Sequence, residues 1–214
     1  MVPGTRAPTR TLPAGAPRGR VLAGGVVWLL VVQYVVVEVL AALAWTGPSY
    51  DPARDVVSDL GRVACRADGG CSPWAEAFNV SLGVHGALVI GGAVLLAPLL
   101  PRWRAGVVAL FAVTAAGNVG VGLVPLGAGD GPWHYVAATA AIGGATLAVG
   151  VAGVAALADP GLRRWALGTL AATVVGVLGV ALLLVDGTTG LAERVAIYPV
   201  VAWYVVTGGL ALRR

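Results

Sequence analysis

The sequence predicts an all-α fold, a polytopic membrane helical bundle of six transmembrane helices with a structured outer loop between the first and second. Three observations predict it. The chain of 214 residues is 58% apolar and 11% charged, with a mean hydropathy of +0.86, far from the soluble average and inside the membrane class. Its apolar segments are each near the about 20 residues needed to cross roughly 30 Å of hydrocarbon. Prolines, glycines and arginine pairs punctuate them with no strand-like alternation, and a backbone that must satisfy itself inside lipid then forms helices. The length leaves no room for a soluble domain. Residues 21–214 therefore read as one transmembrane domain, and residues 1–20, rich in Pro, Ala, Gly and Arg, as a disordered cytoplasmic tail.

The first span runs from about Val21 to Trp45. Ala42-Leu43-Ala44 resembles a signal-peptidase site, but the apolar run is longer than a signal segment and carries Gln33 and Glu38, so the helix is retained. An outer cap, residues 46–74, follows. The polar stretch from Tyr50 to Asn79 holds both cysteines and half of the acids. The second span extends from about Trp74 to Leu100 and stops at Pro101; the third, about Ala105 to Val124, stops at Pro125. A Gly-rich loop leads to His134 and a fourth span through about Ala158. The fifth covers about Trp165 to Val185 and the sixth about Val195 to Leu212. Gly144, Ala148 and Ala152 in the fourth span, and Gly168, Ala172 and Gly176 in the fifth, repeat small residues at four-residue spacing, a pattern that lets helices approach.

Charge orients the bundle. Arg6, Arg10, Arg18, Arg20, Arg102, Arg104, Arg163, Arg164, Arg213 and Arg214 fall on one side, and Arg54, Arg62, Arg66 and Arg194 on the other. The positive-inside rule makes this a multi-pass protein of the cell membrane with both termini cytoplasmic. Arginines dispersed at span ends are no nucleic-acid footprint. Most acids (Asp51, Asp55, Asp59, Asp68, Glu76, Asp130, Asp186 and Glu193) share the outer side, which the rule does not require.

Candidate functional residues collect at that end. Cys65 and Cys71 flank a turn-forming Asp68-Gly69-Gly70 and are expected to close a small disulfide loop in an oxidising space. Ser58 and Asp59 suit a hydrolytic pair, or, more plainly, cap a short helix at the membrane surface. His85 lies on the order of 15 Å into the second span, one turn from Ser81 and below Asn79. Glu38 and Asn118 sit at similar depth. Polar side chains there are expensive and mark functional sites; Arg194 and His85 are the candidate partners of Glu38. His134 opens the fourth span, and Glu193, Arg194 and Tyr198 open the sixth, where the guanidinium suits a phosphate or carboxylate, or ties loops together. Two histidines fall short of a three-histidine zinc site, with His85, His134 and Asp59 as a mixed alternative, so no metal and no cofactor is expected.

The residues SDLG, the cysteine loop, SPWAEAFN entering a helix, GNVGVGLVP, a loop histidine and GLAERVAIYPVVAW, in this order, resemble the bacterial and archaeal membrane family catalogued as domain of unknown function 998. The resemblance covers about Val21 to Leu212 and implies a six-helix integral membrane protein with no assigned reaction. It places Ser58, Asp59, Gly61, Ser72, Pro73, Asn79, Asn118, His134, Glu193 and Arg194 at motif positions.

The leading functional expectation is a membrane lipid or amphipathic small molecule held in an outer-side polar pocket by Ser58, Asp59, Asn79, His85, Asn118, His134, Glu193, Arg194 and Tyr198. The alternatives are an enzyme acting on an isoprenoid or lipid, with Asp59, Glu38, Glu193, His85 and His134 as acid/base candidates, and an accessory subunit whose polar residues only pack helices.

Overall fold

Six helices long and apolar enough to cross a membrane account for the predicted spans, and no strand is present among the described residues. The computed structural model describes residues 16–129, 131–186 and 190–213. The tail up to residue 15, Asp130, Arg214 and the side chain of Asp186 lie outside them.

The first span is two helices, α1 (Arg18–Leu29) and α2 (Val32–Leu43), rather than one. Gln33 N–H donates to the Leu30 carbonyl and Tyr34 N–H to that of Val31, so the chain tightens locally to i→i−3 bonding. The other spans are α3 (Ala75–Leu96), α4 (Arg104–Leu123), α5 (Trp133–Ala156), α6 (Arg163–Asp186) and α7 (Gly190–Leu212). Each packs on its neighbour in sequence, and α7 returns to α1, closing a ring. At one end of the ring lies the cap, joined to the α4–α5 loop by Val63 N–H on the Leu126 carbonyl and to the start of α7. The start of α1 and the end of α7 lie at the other.

At that termini end the arginines also cap helices. Arg20 donates to the Val94 and Leu95 carbonyls in the last turn of α3, and Arg102 adds a bond to the Val154 carbonyl near the end of α5.

Helix α7 begins at Gly190, about five residues before the apolar pattern suggests. Its first amides find partners in the cap: Gly190 N–H donates to the Arg54 carbonyl and Leu191 N–H to that of Ala53. Gly190 lies so close to the backbone of Pro52 and Asp55 that a Cβ would collide with their carbonyls. Small-residue packing holds for Ala148 and Ala152, both buried, but Gly168 faces open space. α6 and α7 meet at the cap end, where Gly179 touches the backbone of Ala196.

The interior is aromatic at mid-depth. Trp28, Phe111, Trp203 and Tyr204 pack with ring centroids 5.1–6.2 Å apart. The Trp28 indole fits over Gly92 and donates to the Val89 carbonyl.

Candidate functional site

The cap is built before the site beneath it. Cys65 and Cys71 form the expected disulfide, with their Cα atoms 4.7 Å apart. Cys71 also exchanges both backbone hydrogen bonds with Thr46, anchoring the loop's end to its beginning. Arg66 lies against the Trp45 ring and reaches Asp55 at 2.6 Å and Asp68 at 2.7 Å. The hydrogen bond to Asp55 holds the Arg66 guanidinium above its usual range, and the Gly70 N–H beside Asp68 holds that carboxyl below its own.

Ser58 and Asp59 sit in a short 3-10 turn, Val57–Gly61. The N-cap position is Val56, which makes no side-chain cap bond, and the first amide of the turn, Val57 N–H, is taken by Glu193 of α7 rather than by Ser58 or Asp59. Asp59 pairs with Arg62 at 2.8 Å and lies 3.7 Å from Arg66, which keeps its charge within the cap. Asn79 likewise serves the turn, donating to the Gly61 carbonyl at 2.8 Å.

A second set ties cap to bundle. Arg194 on α7 donates to Glu38 on α2 at 3.1–3.2 Å, to the Tyr50 hydroxyl at 2.7 Å and to the carbonyls of Pro52, Asp55 and Gly190. Tyr198 donates to the same Glu38 oxygen at 2.8 Å. Arg194, not His85, is therefore the partner of Glu38. With three carbonyls, a phenol and a carboxylate around it, the guanidinium is spent on holding the cap. Burial pushes the Tyr50 phenol well above its ordinary range.

What converges on one space is a smaller group. A cavity of about 70 Å³ lies under the 3-10 turn, with Ser58 in its roof, His85 on α3, Asn118 on α4, His134 on α5 and Glu193 on α7 in its walls, and Tyr34 and Tyr204 in its lining. Asp59, Asn79, Arg194, Tyr198 and Glu38 do not line it. The mixed ligand set of His85, His134 and Asp59 is thus divided, and no group of three metal-binding side chains occurs among the described residues.

Hydrogen bonds fix how these side chains present themselves. His134 Nδ1 lies 2.9 Å from the Val124 carbonyl. A carbonyl only accepts, so Nδ1 carries a proton, and the tautomer this selects presents Nε2 as an acceptor. Asn118 donates its amide to the Thr114 carbonyl, leaving its Oδ1 to accept. Glu193 accepts from the Val57 N–H at 2.5 Å with one oxygen. His85 Nδ1 and the Tyr204 hydroxyl are buried without a hydrogen-bond partner. The aromatic layer to which Tyr204 belongs forms the floor.

Tyr34, Thr114 and Tyr204 were not expected here. Each sits in an otherwise apolar run, and nothing in its local sequence distinguishes a side chain facing a cavity from one facing lipid.

Over residues 22–209 the sequence matches the family described as a protein of unknown function, DUF998. The chain is a DUF998 protein. No curated protein and no solved structure matches it significantly. In this DUF998 member the residues singled out in the sequence divide: Ser58, Asn118, His134 and Glu193 border the cavity, whereas Asp59, Asn79 and Arg194 bond within the cap or to it.

Proposed function

We propose that this DUF998 protein binds an amphipathic molecule, a membrane lipid or a smaller relative, whose polar group enters the cavity beneath the cap. One observation carries the reading: five polar side chains from five separate elements border one space within a membrane-spanning bundle. Such residues are expensive at that depth and are expected to serve a ligand. The exposed acceptors on His134, Asn118 and Glu193 suit a ligand rich in donors, an ammonium or hydroxyl group. About 70 Å³ has room for a few non-hydrogen atoms, so the pocket takes the head of an amphipath and not the whole molecule.

The cap is assigned to the extracytoplasmic side. Arg20, Arg102, Arg104, Arg163, Arg164 and Arg213 lie at the opposite end or in its turns, as the positive-inside rule asks of a cytoplasmic face. A disulfide in the cap suits an oxidising compartment.

The test is mass spectrometry of molecules retained by the purified chain. Wild type is expected to carry an amine- or hydroxyl-bearing amphipath that Glu193→Gln and His134→Ala lose while remaining folded. Equal retention in all three proteins would overturn the assignment. A second reading, acid/base catalysis on such a molecule, draws on Glu193 and both histidines sharing one cavity. It requires chemical conversion of the retained compound by wild type and none by Glu193→Gln.

A further inference from the structure

The termini end of the bundle holds a second and much larger space, about 1410 Å³. Typical small-molecule sites are about 300–1,000 Å³. Its deep wall is the far side of the aromatic layer, Trp28, Phe111 and Trp203, so the two cavities lie on opposite faces of one sheet of rings. Its side lies between α6 and α7: Gly168 on α6, and Ala202, Val206 and Leu210 on α7, line it and are exposed.

Two features decide what fills it. The lining offers water little, because Thr169 and Thr207 already accept the indole N–H groups of Trp203 and Trp165, and an ordered water needs two to four polar partners. A mostly apolar wall of this extent in a membrane-spanning bundle complements hydrocarbon. At the mouth stand Arg164 and Arg213, both exposed and neither hydrogen-bonded nor ion-paired through its side chain to a described residue. Asp159, also in the lining, is turned onto the Gly161 amide at 2.8 Å. Two free guanidiniums above an apolar chamber complement an anion that carries a long tail.

We propose that this cavity binds an anionic phospholipid of the leaflet at the termini end, with its phosphate at Arg164 and Arg213 and an acyl chain running along α6 and α7 to the aromatic layer. The site is separate from the polar pocket and does not depend on that pocket's ligand.

The full chain, purified in a neutral detergent, would be offered equimolar phosphatidylglycerol and phosphatidylcholine and read by native mass spectrometry. Preferential retention of phosphatidylglycerol is expected, weakened roughly tenfold or more in the R164Q/R213Q double variant. Gly168→Phe, which places a ring in the open space beside α6, should reduce retention with both arginines intact. Arg163→Gln, outside the lining, should retain the lipid as wild type does. Equal retention of the two lipids would overturn the proposal, as would losses in Arg163→Gln matching those in the double variant. Palmitate bound in place of phospholipid would contradict the lipid source. Should the double variant fail to fold, undiminished retention by folded Gly168→Phe would by itself contradict the site.

Discussion

The carboxylate of Glu193 accepts the backbone N–H of Val57 at 2.5 Å, joining the first turn of α7 to the roof of the polar cavity. Its neighbour Arg194 grips the same loop from the other side, through the carbonyls of Pro52 and Asp55. Two consecutive residues of one helix thus hold the lid, but one of them also borders the space beneath it.

Glu193→Gln keeps the shape and puts an amide in place of the carboxyl that accepts this hydrogen bond. The expected cost is about 1–2 kcal/mol at the lid, read as faster hydrogen exchange at Val57 and Ser58 with α3 to α5 unchanged. Uniform protection in wild type and variant would show that the contact does not hold the lid.

Arg194→Gln leaves Glu38, 3% exposed, without its cation. Breaking a buried pair on one side costs about 3–5 kcal/mol, a loss visible as a lowered melting temperature in detergent. Adding Glu38→Gln should recover much of it, since the stranded charge is then gone. A double variant as unstable as the single would mean that the cap carbonyls, and not Glu38, are what Arg194 chiefly serves.

Replacing Cys65 and Cys71 by serine opens a short loop, for which chain entropy gives about 2 kcal/mol. The Thr46–Cys71 backbone pair remains, so the effect should be confined to the cap and appear as proteolysis between residues 60 and 72. Cleavage rates equal to wild type would contradict it.

The cap should respond to pH at both extremes. Asp68 has a folded-state pKa below its unfolded value, so its contribution is complete above the unfolded value and is lost as pH falls through the folded one. The Tyr50 pKa is raised, so its contribution is complete below its unfolded value, about 10, and fades as pH rises further. Cap hydrogen exchange, corrected for intrinsic rates, should be slowest between these limits. A monotonic trend would count against both assignments.

The spans and their approximate ends were legible because length, hydropathy and proline punctuation act locally. The convergence of His85, Asn118, His134 and Glu193 was partly legible too, since depth along a helix follows from residue count. Direction around the helix was not: Asn79 and Tyr198 lie near that depth yet serve Gly61 and Glu38. Asp59 and Arg194 looked like chemistry because sequence shows charges without their partners, which here come from Arg62 and Arg66 in the first case and from Glu38, Tyr50 and three carbonyls in the second. The break at Leu30 and the space beside Gly168 had no local signal. Both depend on tertiary packing, which a local stretch of sequence does not carry.

The most direct test of the polar pocket is a high-resolution map of the wild-type chain in lipid nanodiscs. The account predicts non-protein density larger than a water beneath Ser58, in contact with Glu193, His134 and Asn118. A pocket collapsed onto its own side chains, or holding only water-sized peaks, would contradict it.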